Sequence, residues 1–404
     1  MRKSVTEIRF EKSFTQQEPI PKKGVALATD LMISGRLHRY NLEPNEESHA
    51  SLLEREFAHW QGVKYCLACT SGGYAIQLAL RTCGVKQGDK VLANAYTLAP
   101  VPGAIHSVGA EPVFVEIDEN YHIDLIDLKN KILTSRAKYL LLSHMRGHIA
   151  DMDKVKTICD ENKVALIEDC AHTMGSKWRG IRSGNFGIVS AFSTQTYKHL
   201  NSGEGGFLIS NDPKLAAKAI VSSGSYMLYN RHGSIPPEAV FQEIRLDSPN
   251  YSGRMDQIRA CILRSQLPSL EKNIQRWNTL YKTLFKGLSQ INGISIPVRN
   301  KNESYVGSSL QFRVTDLIEK LIPKFIDSCI KRGVDLKWFG NKEPKAFTSR
   351  YDSWTYLRDL PVLDKTLLYL SRTIDMRIPL TFTQNDCMVI TQIIESELER
   401  YTKV

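Results

Sequence analysis

Between residues 63 and 212, short apolar runs alternate with stretches of helical periodicity, and this alternation restricts the chain to few architectures. Residues 63–70, 90–93, 112–116, 137–144 and 165–168 read as strands; 74–80, 98–107, 123–132 and 152–162 read as helices. A helix between two strands can carry the chain back to the same end of a sheet, so successive strands pair in parallel. Such a sheet is covered on both faces and binds its ligands beyond the carboxyl ends of its strands. The expected fold is therefore α/β, with a mainly parallel sheet flanked by helices. The polar residues that follow each strand become the candidate site.

Three of these junctions carry chemistry. After the first strand, Ser71-Gly72-Gly73 opens a helix, where free backbone N–H groups and the positive helix end suit a phosphate. An ordinary N-capped helix has the same pattern. The strand at 164–167 runs into Glu168-Asp169-Cys170-Ala171-His172, which places a carboxylate to meet a ligand cation such as a protonated pyridine nitrogen. A helix N-cap for Asp169 and a packed imidazole for His172 are the plainer alternatives. At the third junction Lys198 stands between Ser193-Thr194 and Gly203-Glu204-Gly205-Gly206, with apolar strands on either side. Poor solvation lowers a lysine's pKa and favours the neutral, nucleophilic amine. A solvated lysine beside a Gly-rich turn is the alternative.

The remaining chain sets bounds. At 404 residues it exceeds one ordinary core, and we divide it into a large domain, 1–255 with a polar N-terminal lead-in, and a smaller C-terminal domain, 256–404. Further helices are expected at 21–33, 48–61, 254–267, 270–288, 317–332 and 383–402, and residues 223–252 read as a long functional or disordered loop. No apolar run reaches membrane-spanning length, and the first 18 residues lack the apolar segment of a signal peptide, so a cytoplasmic location is expected. The eight cysteines are scattered; Cys66-Leu67-Ala68-Cys69 has no second pair, so it reads as buried strand, with neither a metal site nor disulfides implied. The net charge of +10 is spread along the chain rather than gathered in a basic arm, which favours anionic small substrates over nucleic acid.

These residues resemble the DegT/DnrJ/EryC1 (sugar aminotransferase-like) family of pyridoxal-phosphate (PLP) enzymes, from about Ser34 to the C-terminal helix. The anchors are Ser71-Gly72-Gly73, Glu168 to His172, Ser193 with Lys198 five residues later, Gly203-Glu204-Gly205-Gly206, and Arg254-Met255. Residues 109–115 and 144–153 are secondary matches. The resemblance implies fold type I: a large domain with a mainly parallel seven-stranded sheet, a smaller C-terminal α+β domain, and a homodimer with shared active sites. It implies Lys198 as the Schiff-base lysine and proton shuttle, Asp169 at the pyridinium nitrogen, and His172 near the ring or its 3′-oxygen. Gly72, Gly73 and Ser193 would hold the phosphate. The implied activity transfers an amino group from an amino acid, glutamate or glutamine, to a keto or aldehyde carbon of a sugar-like acceptor. Its setting would be antibiotic, polysaccharide or nucleotide-sugar biosynthesis.

The chain departs from the family pattern at three points. Gly73 stands where many relatives have Thr, and Leu98 stands where many place an aromatic on the ring face; Tyr96 supplies stacking only if the local backbone differs. Ser252 replaces an Asn that in relatives reaches the partner subunit's phosphate. For substrates, the basic and aromatic cluster Arg36, His38, Arg39 and Tyr40 is a candidate grip on an anionic acceptor, or a solvated loop. Arg254 is a candidate for the donor carboxylate, a structural ion pair being equally open, and Trp338, Trp354 and Tyr356 read as core or pocket. The alternative activities are a PLP-dependent dehydratase or cyclase and a non-catalytic PLP-binding regulator. Lys198 speaks against the dehydratases that carry His at that position, and Lys198, Asp169 and Ser193 together speak against a binder.

Overall fold

A computed structural model describes residues 7–402, so the first six residues of the polar lead-in lie outside the described residues. The strands of the large domain are β1 (Tyr65–Cys69), β2 (Lys90–Asn94), β3 (Glu111–Val115), β4 (Tyr139–Ser143), β5 (Ala165–Asp169), the short hairpin β6 (Lys177–Trp178) and β7 (Ile181–Arg182), β8 (Val189–Ser193) and β9 (Gly206–Ser210). Seven of them form one sheet in the order β1-β9-β8-β5-β4-β2-β3. Every pairing is parallel except those of β9, which runs against both β1 and β8. The connection from β8 to β9 forms turns and no helix, so the chain returns without the crossover that a parallel neighbour needs.

Helices cover both faces: α1 (Lys22–Ser34), α2 (His49–Gln61), α3 (Gly72–Thr82), α4 (Pro100–Ser107), α5 (Leu125–Ser135), α6 (Met152–Glu161), α7 (Pro213–Ser222), α8 (Glu238–Ile244) and α9 (Gln257–Gln266). Alternation along the strands divides the core. Val91, Ala93 and Leu141 pack with Ile76, Leu80 and Ile105 on one face, while Leu92, Leu140 and Leu142 pack with Met152, Val155 and Ile158 on the other. The cysteines of the Cys66–Cys69 pair are both buried in β1, as expected, and all eight cysteines are free. Two local expectations change. The stretch at 223–252 is not a loop throughout, since it folds α8 onto α7, and α4 starts at Pro100, leaving Leu98 in the preceding turn. No helix among the described residues is long and apolar enough to cross a membrane.

A second layer is built from α10 (Leu270–Leu288), β10 (Ile294–Ser295), β11 (Glu303–Ser304), β12 (Ser309–Val314), α11 (Ile322–Lys331), β13 (Lys337–Trp338), α12 (Asp364–Leu370), β14 (Thr373–Arg377) and α13 (Gln384–Thr402). Its antiparallel sheet, β10-β12-β14-β13, packs on α10, α11 and α13 around Leu284, Phe312, Phe325, Ile374 and Ile390. Phe10 and Phe14 of the lead-in are buried in this same core. Along α10, Ile274 and Trp277 pack with Phe57 and Phe192 of the large domain, and Leu280 onward packs with the smaller core. The division we propose therefore lies within α10 rather than between 255 and 256. The segment after β13 crosses back over the large domain, where Tyr351 packs against Phe114 and Leu363 enters the large core.

Candidate active site

The carboxyl ends of β1, β4, β5 and β8 converge with the first turn of α3 on a cavity of about 350 Å³. The reversed strand draws it together: in register, Gly206 at the start of β9 lies beside both Cys69 and Ser193. No side chain fits there, because a Cβ on Gly206 would lie 2.5 Å from the Phe192 carbonyl and 2.7 Å from the Gly72 nitrogen. Ser71 caps α3 by accepting a hydrogen bond from the Tyr74 N–H (3.0 Å). Gly72, Gly73 and Ser193 line the cavity beside that cap. A Cβ on Gly72 would stand 2.7 Å from the Ser193 Cβ, so glycine lets the helix start close to the Ser193 hydroxyl.

Asp169 is buried at the end of β5. Its Oδ2 accepts from the Ser143 hydroxyl at 2.8 Å, and its Oδ1 accepts from the Ala171 N–H at 3.1 Å. In the same cavity the Lys198 Nζ lies 2.7 Å from the His172 Nε2. Burial, with the charge of Arg146 and, more weakly, Arg377, lowers the Lys198 pKa to about 7, while Asp169 pulls the other way. Burial and the Lys198 charge also push the His172 pKa well down. The imidazole is therefore neutral, and one hydrogen bond joins its Nε2 to the Lys198 amine.

The far wall comes from elsewhere. Arg146 follows β4 with left-handed backbone (φ 53°), and its guanidinium donates to the Phe347 carbonyl (3.0 Å) and pairs with Asp375 (2.9 Å). Arg377 closes β14 and stacks 3.6 Å over the Tyr197 ring. Phe347, Trp354 and Leu98 complete the apolar side.

The family model for the DegT/DnrJ/EryC1/StrS aminotransferases matches residues 44–339. The chain belongs to this family. It is 33% identical over 261 residues to the dTDP-3-amino-3,4,6-trideoxy-alpha-D-glucose transaminase of Streptomyces venezuelae, covering 64% of each chain. It is 32% identical over 201 residues to the L-glutamine:2-deoxy-scyllo-inosose aminotransferase of Streptomyces fradiae, covering 50% of this chain and 47% of that one. The matched stretches thus span about half to two thirds of these curated relatives. Among solved structures, 3-amino-5-hydroxybenzoic acid synthase aligns with a TM-score of 0.82 at 22% identity over 98% of this chain and 100% of that one. PseC of Helicobacter pylori, an aminotransferase involved in the biosynthesis of pseudoaminic acid, aligns with a TM-score of 0.81 at 18% identity over 97% of this chain and 100% of that one. The expected fold class and family are both borne out.

Of the expected site residues, Lys198, Asp169, His172, Ser193, Gly72, Gly73 and Leu98 line the one cavity. Five others do not. Arg39 is fully buried, with both terminal nitrogens 2.9 Å from the carboxylate oxygens of Glu54. Tyr40 donates to His232 Nε2 (2.7 Å), and His232 Nδ1 donates to the same Glu54. Burial alone would raise the Glu54 pKa, but Arg39 and His232 hold it well below the carboxylate range, so the cation is committed to Glu54 and not to an acceptor. Arg36 pairs with Glu46 at 2.5 Å. Tyr96 is buried against Tyr121 and Phe339, behind the cavity wall. Arg254 donates to the Gly224 carbonyl and lies over the Tyr226 ring, away from the cavity. Ser252 is exposed in a turn with Asn250.

Arg146, Arg377 and Phe347 were not anticipated, while Trp354, open between core and pocket, lines the cavity. Arg146 had a readable signal, a charge three residues past the end of an apolar strand. Arg377 had none, and it lies beyond the family match together with Phe347 and Trp354.

Proposed function

We propose that the chain is a PLP-dependent aminotransferase that moves an amino group from glutamate or glutamine to a keto or aldehyde carbon of a sugar-like acceptor. The observation that carries this reading is the buried Lys198 amine, tuned to about 7 and hydrogen-bonded to neutral His172 in the same cavity as the anchored Asp169 carboxylate. The residues fit PLP group by group. The α3 N-terminus with Gly72, Gly73 and the Ser193 hydroxyl suits its phosphate, Asp169 suits a protonated ring nitrogen, and the Lys198 amine suits its aldehyde. PLP, when bound, supplies the electron sink and the carbonyl that carries the amino group between substrates.

This chain's residues do the rest. Asp169, fixed by the Ser143 hydroxyl and the Ala171 N–H, is positioned to pair with the ring nitrogen. Lys198 near its midpoint at neutral pH can take a proton at Nζ and return it, which is the requirement for general acid–base work. Leu98, Phe347 and Trp354 give that exchange an apolar border. In this reading the active sites are shared in a homodimer, with the exposed Ser252 turn facing the partner's phosphate site.

The test is the visible spectrum of the purified protein with PLP. A yellow band that bleaches with L-glutamate or L-glutamine and returns with a keto acceptor is expected. Absence of any band after adding PLP would overturn the reading.

A further inference from the structure

Arg146 and Arg377 face one cavity with one carboxylate between them. Asp375 is already divided: Oδ2 pairs with Arg146 at 2.9 Å and Oδ1 accepts from the Gln311 amide at 2.8 Å. Arg377 forms no salt bridge among the described residues, and its charge rests on the Tyr197 ring. Burial and the neighbouring Arg146 charge lower the Arg377 pKa, and Asp375 and Tyr197 offset this only in part. The Arg146 Nε is buried without a hydrogen-bond partner. The acids that also line the cavity do not relieve this wall. Asp169 is engaged by Ser143 and Ala171, and Glu204 is exposed.

We propose that Arg146 and Arg377 form a carboxylate site that selects the acceptor, which is a single-ring keto acid and not a nucleotide-linked sugar. The inference rests on the transaminase reading above. In transamination donor and acceptor occupy the same cavity in turn, so a wall that binds the donor's carboxylate meets the acceptor next. A neutral acceptor would fill the cavity and leave a guanidinium desolvated without a partner, which is costly; an acceptor with its own carboxylate restores the pairing. Size points the same way. At about 350 Å³ the cavity lies at the low end of ligand sites, roughly 300–1,000 Å³, and the cofactor must share it. What remains is walled by Phe347, Trp354 and Leu98, which suit the face of one ring. These determinants lie largely after residue 339, outside the stretch that matches the family.

The test uses the PLP-loaded protein and calorimetric titration with three unreactive probes: cyclohexanecarboxylate, its neutral analogue cyclohexanecarboxamide, and UDP. The carboxylate should bind, and the carboxamide should bind about 10- to 100-fold more weakly, the ratio expected of a charge-assisted pair. Arg377→Gln should reduce carboxylate affinity to that of the carboxamide, while Arg377→Lys recovers part of it and both variants keep the cofactor band. Equal affinity for the two ring probes, no binding of the carboxylate, or UDP binding more tightly than the carboxylate and competing with it would overturn the proposal. A wild-type band that bleaches with L-glutamate alongside any of those results removes only this inference. A missing band removes the transaminase reading as well.

Discussion

Lys198→Met removes a buried amine while keeping most of the side chain's length, and the cofactor-free variant should gain stability over wild type by an amount that shrinks as pH rises. Burial and the Arg146 charge lower the Lys198 pKa from 10.5 to about 7 in the folded chain. Between those values the unfolded chain holds a proton that the folded chain has released, so stability climbs with pH from about 7 to 10.5. Below 7 the penalty is present in full. Integrated, it is about 5 kcal/mol at pH 6 and about 2 kcal/mol at pH 9. For a chain of this length the unfolding entropy converts each kcal/mol into about 1 °C. Methionine abolishes the titration, so the variant-minus-wild-type difference in Tm should fall by about 3 °C between pH 6 and pH 9. Leaving His172 Nε2 without its partner adds an offset at both pH values and does not remove the trend. Scanning calorimetry of both cofactor-stripped proteins at pH 6, 7.5 and 9 measures it. A difference that is flat or grows with pH would refute a desolvated Lys198. The same variant loaded with PLP should show no bleaching with L-glutamate.

Asp169→Asn should still bind PLP but turn over at least about tenfold more slowly, since each pKa unit lost by the ring nitrogen cuts its protonated fraction tenfold; near-normal kcat would remove Asp169 from that role. Gly72→Ala forces a Cβ to 2.7 Å from the Ser193 Cβ, and overpacking of this kind costs about 1–3 kcal/mol. Its PLP affinity by fluorescence titration should fall, and unchanged affinity would argue against the phosphate cradle. Arg39→Met leaves the buried Glu54 carboxylate uncompensated, which costs about 3–5 kcal/mol. Thermal melts should register that loss, while KM for the acceptor in the folded protein stays unchanged.

The elements of the cofactor end were legible because each sits within a few residues of a strand end. Ser71 to Gly73, Asp169 with His172, and Ser193 with Lys198 each follow a strand, and a parallel sheet brings strand carboxyl ends together whatever its strand order. Cys66 and Cys69 read correctly as buried strand for a similar local reason, apolar neighbours on both sides. Arg39 and Tyr40 read wrongly because the decisive partner, Glu54, lies on the next helix. From sequence alone a buried ion pair and a substrate-binding arginine present the same residue. Arg254 failed likewise, its guanidinium being spent on the Gly224 carbonyl thirty residues earlier.

By itself the sequence determined the layered α/β architecture, the family, and the lysine, carboxylate and glycines at one end of the cavity. These depend on periodicity and on spacing within single junctions, which a linear string records. Only the tertiary structure decided that β9 reverses to bring Gly206 between Cys69 and Ser193, that Phe10 and Phe14 belong to the smaller core, and that Arg146 meets Arg377 across more than 200 residues. Those placements depend on which surfaces remain to be buried once the sheet has formed, and on which charge each buried cation finds as its nearest partner.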